Sequence, residues 1–484
     1  MALERPPELE YTNPLMLIAR DLRLERTSPV GFPPGETDFS LARTLRFSEE
    51  PLRILLDCYA RFGPVFTLRV FHGNIVFMIG AEANHYITVS HASNFTWRES
   101  HFRDLVALVG DGLLTTDGEF HRRSRQIMVP GFHRERVLTY VEAIVEETER
   151  ALEEWQPGAR VELYTWTRRL TINVAMRALF GVDPEGERAR SIDAARAFEE
   201  ALSFYSTPYP TRMLHGPFTP WRKLMRASRK LNNLIYEEIA QRRASGERGE
   251  DIMSLLLDAH DEDGEALNNV QIRDQVMTLL WAGHDTTTAT VSFMFAELIR
   301  HPEIVARLWA EQDAVLGARA PTGEQLMGDA LPYLEMVLDE TLRKYPAAWL
   351  GPRRSVSAFE FDSAWVPGET YVNYSSWATH HLPHLFPEPE RFDPERFLPE
   401  RKAALPKGAY IPFGGGSRMC IGMRFGQLES RVIATLILQR FALELPQRFE
   451  LRIRQMPTIS PRALPVIVHE RGRARARPAA VAAA

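Results

Sequence analysis

Apolar residues recur at three- and four-residue intervals over most of the chain, which predicts a mainly helical protein. The clearest helical stretches are residues 134–154, 163–179, 225–244, 269–300, 302–316, 331–344 and 420–441. Two apolar runs, residues 65–70 and 75–79, flank His72-Gly73-Asn74 and predict a β-hairpin. Extended segments at residues 359–374 and 449–468 indicate a smaller β-rich part.

Composition excludes several classes of protein. The chain has 484 residues, 45% of them hydrophobic, and a net charge of −5, which disfavours nucleic acid as its main partner. No segment has the roughly 18 to 20 uninterrupted apolar residues that span a bilayer, and the N-terminus lacks a basic start followed by an apolar run. Cys58 and Cys420, the two cysteines of the sequence, make no disulfide framework and point to a reducing compartment. We therefore expect a cytoplasmic protein without a membrane span.

A glycine-rich loop carries Cys420, with Arg418 two residues before it, in the sequence FGGGSRMCIG (residues 413–422). Glycines let a backbone approach a flat, bulky group, and the free amides of a following helix stabilise negative charge on sulfur. One cysteine without Cys or His partners at zinc spacing cannot close a tetrahedral site, so a metal here brings most of its own ligands, as haem does. The alternative is a buried, inert cysteine.

A second group of polar residues interrupts the longest predicted helix, in the sequence AGHDTT (residues 282–287). Gly283 and the hydroxyl of Thr286 are poor choices for a helix that only has to pack. A small residue opens the groove beside a ligand, and Asp285 followed by Thr286 can pass protons from water. A structural kink is the alternative interpretation.

These two motifs resemble the signatures of the cytochrome P-450 family, and the motifs of the chain follow the order of that family from His121 through Glu340 to Cys420. The resemblance covers nearly the whole chain and implies a mainly α, single-domain fold with a smaller β-rich part. It also implies a non-covalent haem b, with Cys420 as the axial thiolate ligand of the iron and Phe413 beside it. We expect the haem domain to occupy residues 1–470, followed by a disordered Arg/Ala-rich tail over residues 471–484.

The same resemblance assigns roles to further residues. Thr286 would hydrogen-bond to bound dioxygen or its water, Asp285 would help to supply protons, and Gly283 would leave room for the cofactor. The haem propionates need cations, and the positions that match the family are His121, Arg125, Arg418 and Arg353, with the neighbouring Arg354 as the alternative to Arg353. Glu340, Arg343 and Arg396 would form a buried charge network that holds the loop of Cys420.

The implied activity is monooxygenation: one atom of dioxygen enters a lipophilic small molecule and the other leaves as water. No Gly-x-Gly-x-x-Gly unit for a nicotinamide or flavin is present, so we expect electrons from a separate ferredoxin or flavodoxin with its reductase. The alternatives are a peroxide-driven peroxygenase and, from a different class, a haem carrier or sensor without turnover. Asp285 and Thr286 argue against both, because neither needs a proton relay.

Segments that match the variable pocket walls of the family are apolar and aromatic, which suits a lipophilic substrate such as a fatty acid, terpenoid or steroid. Their candidate lining residues are Phe95, Trp97, Phe102, Val106, Leu108, Phe198, Leu202, Phe204, Tyr205, Met213, Leu214, Leu279, Leu280, Ala347, Trp349, Met456 and Ile459.

Overall fold

The computed structural model describes residues 13–181, 191–205, 207–260, 264 and 266–471. The helices of the first half are α1 Pro14–Thr27, α2 Leu41–Glu49, α3 Pro51–Phe62, α4 Ala81–His85, α5 Val106–Val109, α6 Gly118–Met128, α7 Arg134–Thr139, α8 Val141–Leu152, α9 Leu163–Val174, α10 Ser191–Tyr205, α11 Tyr209–Arg212 and α12 Pro220–Ser245. Those of the second half are α13 Ile252–Asp258, α14 Asn269–Leu298, α15 Pro302–Val315, α16 Gly323–Met327, α17 Pro332–Lys344, α18 Ser376–His380, α19 Pro399–Ala404 and α20 Met423–Arg440.

The strands are shorter and lie mostly at the two ends of the chain. They are β1 Gly35–Glu36, β2 Val65–Val70, β3 Gly73–Met78, β4 Phe95–Thr96, β5 Arg160–Glu162, β6 Gly351–Ser355, β7 Phe359–Phe361, β8 Ala364–Val366, β9 Tyr371–Tyr374, β10 Phe441–Glu444, β11 Ile453–Arg454, β12 Ser460–Pro461 and β13 Pro465–Glu470. Tight or widened helical turns include Tyr86–Ser90, Ala175–Leu179, Pro394–Phe397 and Gly416–Arg418.

The predicted helical stretches are confirmed, with differences at their ends. Residues 134–154 form two helices, α7 and α8, because the backbone tightens at Tyr140, whose N–H bonds to the Val137 carbonyl three residues before it. The tail prediction falls largely on residues 472–484, which lie outside the described residues. Arg471 is described, and its guanidinium pairs with Asp313 at 2.8 Å.

The predicted hairpin is confirmed and belongs to the largest sheet. Strands β2 and β3 pair antiparallel, with Val65 opposite Met78, and the six-stranded sheet has the order β1-β2-β3-β9-β6-β4. Strand β9 runs parallel to β3 and antiparallel to β6, so Arg353 of β6 lies opposite Val372 of β9. The side chain of Arg353 therefore starts from a buried position in a paired strand.

Helix α14 forms the centre of the helical part. Asn268 and Gln271 make a capping box at its start, and residues on every side of the helix are buried over most of its length. It packs against α9 and α20, among other elements, within one large apolar core. A polar motif in the middle of α14 is therefore placed inside the protein. In the described part of the chain, no helix combines the length and apolar character needed to cross a membrane.

Candidate functional site

The loop of Cys420 ends where helix α20 begins. We predicted that this helix starts at Cys420, but it starts at Met423, with Gly422 as its N-cap residue. The Cys420 N–H donates to the Phe413 carbonyl at 3.0 Å, which closes the loop. The Gly422 N–H in turn donates to the Cys420 sulfur. Cys420 thus precedes the helix and receives one of its free N-terminal amides.

The glycines of this loop also pack closely against another part of the chain. Gly416 has a φ of +62°, and a Cβ there would lie 1.9 Å from the Thr88 carbonyl oxygen. A Cβ on Gly415 would lie 2.8 Å from the Thr88 hydroxyl. Close packing against Thr88 is therefore one reason for glycine at these two positions, and the approach of a flat ligand to the loop stays a prediction.

Protein atoms surround the sulfur of Cys420 on most sides, but part of the side chain is exposed. Burial raises the pKa of its thiol, while the Gly422 amide and the Arg125 guanidinium act in the opposite direction. The expected stabilisation of negative charge by an amide at the start of the helix is present, but desolvation is the larger effect in the protein alone. The side chain nevertheless remains exposed on its open face. A bound cation at the sulfur is what would hold it as thiolate.

Basic side chains from three parts of the chain meet beside this loop. His121 and Arg125 come from α6, Arg353 from β6 and Arg418 from the loop itself. The pKa of His121 is lowered to about 3, mainly by burial and then by the charges of Arg418, Arg125 and Arg353. Asp117 acts in the opposite direction and raises it. His121 is therefore a neutral imidazole at pH 7, and the cluster carries three guanidinium groups with one carboxylate among them.

Arg418 also holds the segment before helix α6. Its guanidinium donates to the carbonyls of Leu114 and Thr116 and to the Asp117 carboxylate. Asp117 accepts further hydrogen bonds from the backbone of Trp97 and Arg98. The sequence analysis did not single out Asp117, although an acid directly before a helix is a recognisable N-terminal signal.

The adjacent arginines of β6 face opposite ways. Arg354 donates to the Glu369 carboxylate at 3.2 Å and lies 3.7 Å from Glu99. Arg353 lies over the ring of Tyr374, with 5.5 Å to the ring centroid. Its charge contributes to lowering the pKa of both His121 and Arg418. Of the two, Arg353 is thus the arginine that the structure brings to the basic cluster.

A planar ring that carries a metal ion and anionic substituents fits these residues. The open face of Cys420 offers the metal ligand, and the basic cluster lacks enough carboxylates of its own to balance it. Beside α14, a Cβ on Gly283 would meet no atom within 4 Å, so there is open space along that groove. The donor set therefore matches haem, whose two propionates are anionic.

We predict that Arg353→Gln weakens haem retention by about 1.5–3 kcal/mol, the range of a hydrogen bond to a charged group. His121→Ala and Arg125→Ala should act in the same direction. Arg354→Gln is the matched control, because its partners Glu369 and Glu99 lie on the other side of the strand. The measurement is the rate of haem transfer to an excess of apomyoglobin. Equal rates for the Arg353 and Arg354 variants would contradict the assignment.

The polar motif of α14 lies next to helix α20. A Cβ on Gly426 of α20 would be 3.7 Å from the Thr287 hydroxyl, and Thr287 also hydrogen-bonds Glu429 of the same helix. The half-buried hydroxyl of Thr286 donates to the Ala282 carbonyl at 2.8 Å. A hydroxyl that donates in this way still has acceptor lone pairs for a water molecule.

Asp285 is turned towards other elements. Its carboxylate accepts from the Thr458 hydroxyl at 2.5 Å, lies 3.5 Å from the Tyr164 hydroxyl and 3.8 Å from Arg168. Arg168 is in turn 3.6 Å from Glu199, whose side chain is half exposed. The sequence analysis found Asp285 but none of these partners. They connect the buried acid to the protein surface.

The predicted charge network is present, with Glu340 and Arg343 fully buried and Arg396 partly exposed. Arg343 donates to both oxygens of the Glu340 carboxylate at 2.7 and 2.9 Å, and Arg396 lies 3.5 Å from Glu340. Arg343 also donates to the His380 carbonyl, and the Ile411 N–H donates to Nε2 of His380 at 3.0 Å. Through His380, the network reaches the start of the loop that carries Cys420.

Replacing Arg343 with methionine should lower the free energy of unfolding by about 3–5 kcal/mol, because it leaves the Glu340 carboxylate buried without its main partner. The measurement is urea unfolding of the holoprotein, followed by circular dichroism. Arg391→Met is the control, since Arg391 and Glu388 form an exposed pair at 3.5 Å and little change is expected there. Similar losses in the two variants would contradict a structural role for the network.

The candidate pocket residues lie in different surroundings. Most of those described pack within the apolar core, including Trp97, Leu280 and Trp349. Tyr205 and Met456 line a cavity between the large sheet, α2 and the segment around α11. Leu214 is 58% exposed, and the side chain of Phe198 lies outside the described residues.

Known proteins are similar to this chain in sequence and in fold. A profile described as cytochrome P450 matches residues 33–466. Cyclooctat-9-en-7-ol 5-monooxygenase of Streptomyces melanosporofaciens is 36% identical over 69% of this chain and 73% of its own length. A putative cytochrome P450 139 of Mycobacterium tuberculosis is 30% identical over 83% of this chain and 93% of its own length.

Solved structures agree with the sequence comparisons. The retinoic acid-bound cyanobacterial CYP120A1 has a TM-score of 0.82 and 30% identity, covering 92% of this chain and all of that one. The cytochrome P450DA heme domain has a TM-score of 0.81 and 26% identity, covering 91% and 98% of the two chains. The predicted fold is thus confirmed, and the chain belongs to the cytochrome P450 family of haem-thiolate monooxygenases.

Proposed function

We propose that this P450 hydroxylates a lipophilic terpenoid, with Cys420 as the iron ligand and with electrons from a separate ferredoxin or flavodoxin and its reductase. The observation that carries the site assignment is the convergence of the accessible Cys420 with His121, Arg125 and Arg353. Bound there, haem supplies the iron at which dioxygen is reduced, and thiolate ligation favours cleavage of the O–O bond.

The protein residues have separate roles in this proposal. Arg125, Arg353 and the neutral His121 hold the propionates, while Arg418 contributes charge and fixes residues 114–117. The Gly422 N–H donates a hydrogen bond to the sulfur and so stabilises its negative charge. These contacts fix the ring relative to α14, where Gly283 leaves space.

Proton delivery is the role proposed for Asp285 and Thr286. The Thr286 hydroxyl, oriented by its bond to the Ala282 carbonyl, holds a water molecule beside the open groove at Gly283. Asp285 lies one residue before it and is connected towards the surface through Arg168 and Glu199. Arg168 keeps its own proton, so its role is to hold Asp285 and Glu199 near each other by charge; Asp285 takes protons from water on that side and passes them, through water, to Thr286.

The substrate class is supported by the relatives. One of them acts on cyclooctat-9-en-7-ol and one structural neighbour contains retinoic acid, both lipophilic molecules with one polar group. In this chain, a mostly apolar cavity is lined by Phe47, Val70, Ile75, Tyr205 and Met456. The same cavity also contains His101 and Arg212, so its lining favours a lipophilic molecule with one polar group.

The test is a ligand screen followed by turnover. Terpenoid alcohols, fatty acids and steroids are titrated into the ferric holoprotein, and binding is followed by the shift of the haem absorption. Ligands that bind are then incubated with ferredoxin, reductase and NADPH, or with hydrogen peroxide alone. Product from a terpenoid only with the electron-transfer partners supports the proposal. Turnover driven solely by peroxide, or binding of fatty acids alone, would contradict it.

A further inference from the structure

Side chains from two parts of the chain surround the carboxylate of Asp285, which is 5% exposed on α14. Tyr164 and Arg168 come from α9, and Thr458 comes from the turn between β11 and β12. A proton that reaches the buried carboxylate from this side passes close to these three groups. They differ in their ability to hand a proton on.

The guanidinium of Arg168 does not relay protons, because an arginine keeps its charge in proteins. It lies 3.8 Å from Oδ1 of Asp285. A positive charge beside one oxygen of a carboxylate favours the unprotonated form of that oxygen. A proton on Asp285 is therefore expected on the other oxygen, Oδ2, which faces away from Arg168.

The hydroxyl of Tyr164 is poorly placed for the same task. It lies 3.5 Å from Oδ1 of Asp285, whereas hydrogen bonds between a hydroxyl and an oxygen span about 2.5–3.0 Å. Burial, followed by the charge of Asp285, raises the pKa of Tyr164, so this phenol holds its proton firmly. Tyr164 therefore lines the acid without being its nearest proton donor.

The hydroxyl of Thr458 is in direct contact with the oxygen that is expected to carry the proton. It donates to Oδ2 of Asp285 at 2.5 Å. A hydroxyl has one proton and two lone pairs, so it can give its proton to a carboxylate while it accepts another from water. Thr458 is 8% exposed, so a small part of it remains accessible to solvent.

Backbone contacts hold Thr458 at this position. Strands β11 and β12 pair antiparallel, with Ile453 opposite Pro461, and close the turn that carries Thr458. The N–H of Ile459 donates to the Ala347 carbonyl at 3.0 Å, and β12 packs against α14. The main chain thus fixes the hydroxyl beside α14, so its position does not depend on the contact with the acid alone.

We propose that Thr458 relays protons from water to Asp285. In this step the O–H bond of Thr458 breaks as its proton binds Oδ2 of Asp285, and the Thr458 oxygen takes a proton from a water molecule. One proton is transferred, no electron moves, and solvent restores the water. Thr458 touches neither substrate nor cofactor in this step, so it acts through Asp285 as a positioning residue.

This inference rests on the proposed function, because it requires Asp285 to supply protons to Thr286. It adds the group from which Asp285 receives them. Direct protonation of Asp285 by water remains as a slower route, so loss of the Thr458 hydroxyl should slow proton supply without abolishing it.

The test measures oxygen consumption by the holoprotein with ferredoxin, reductase, NADPH and retinol as the probe, in H₂O and in D₂O. Thr458→Val should lower the rate about tenfold, less than the ~10²–10⁴ of positioned acid–base groups. The ratio of the rates in H₂O and D₂O should rise, because proton transfer becomes the slow step. Thr458→Ser keeps the hydroxyl and should restore both values.

Thr370→Val is the matched control and should behave like the parent. Thr370 is 2% exposed, and its hydroxyl donates to the Gly368 carbonyl. The double variant Thr458→Val/Asp285→Asn should be no slower than Asp285→Asn alone, because the relay leads only to Asp285. In urea unfolding of the holoprotein, the two single changes should shift the midpoint non-additively, since their side chains share one contact.

A slow Asp285→Asn protein beside a parent-like Thr458→Val protein would overturn this inference and leave the proposed function intact. A loss in Thr458→Val that Thr458→Ser does not restore would indicate a packing role and would also overturn it. A larger loss in Tyr164→Phe than in Thr458→Val would assign the relay to Tyr164 instead. Parent-like oxygen consumption by Asp285→Asn would contradict both the inference and the proposed role of Asp285.

Discussion

Cys420→Ala is expected to remove monooxygenation completely, together with the thiolate-specific absorption of the reduced carbon monoxide complex. The sulfur is the protein's proposed bond to iron, and no neighbouring side chain on the described loop replaces it as a soft anionic ligand. The variant should keep its helical content, because the loop is closed by backbone contacts such as the bond from the residue 420 N–H to the Phe413 carbonyl.

Cys58→Ser provides the matched control for the loss of a thiol. Cys58 is 2% exposed in an apolar cluster that includes residues of α3, β2 and β3, where burial raises its pKa to about 11, so it is an inert side chain. Its variant should lose some stability but keep the carbon monoxide spectrum and turnover. A Cys420→Ala protein that retains both properties would exclude Cys420 as the ligand.

Thr286→Ala should separate electron consumption from product formation. Without the hydroxyl beside Gly283, the water that it holds is no longer positioned, so electrons drain into hydrogen peroxide or water. Haem, substrate and carbon monoxide should still bind. We expect product per electron to fall several-fold, with ~10²–10⁴ for positioned acid–base groups as the upper range. The measurement compares product, peroxide and NADPH consumption in one reaction.

Thr290→Ala is the control for this experiment. Its buried hydroxyl donates to the Thr286 carbonyl one turn further along α14, so the change removes the same atoms and leaves the Thr286 hydroxyl in place. Asp285→Asn should slow turnover with less peroxide, because it limits proton supply and leaves the water in place. Peroxide-driven turnover should survive better in both the Thr286 and Asp285 variants. Unchanged coupling in Thr286→Ala would remove Thr286 from the proposed mechanism.

Features that depend on local pattern were predictable from the sequence. The hairpin of β2 and β3 follows from two apolar runs around His72-Gly73-Asn74, and α14 follows from its apolar periodicity. The Glu340–Arg343 pair is also local, since its members are three residues apart on one helix. The resemblance to a known family then added Arg396, which no local pattern connects to Glu340.

Long-range contacts could not be predicted in this way. Arg418 and Asp117 are 301 residues apart in sequence, and Thr458 and Asp285 are 173 apart. Nothing in the local composition of either member indicates the other, because such pairs are selected by tertiary packing. The start of α20 was misplaced for a related reason. Gly422 caps the helix, and residues 421–422 form a turn before it, whereas apolar spacing alone predicted a helix that begins at Cys420.

The close packing of Gly415 and Gly416 against Thr88 affects how tightly the cofactor can bind. Contacts with Thr88 fix the turn at these two glycines, so their conformational entropy is lost when the chain folds, at about 1–2 kcal/mol for each ordered residue. That part of the ordering cost is not subtracted from the affinity for haem. More of the free energy that the iron–sulfur bond and the propionate contacts supply therefore appears as affinity for the cofactor.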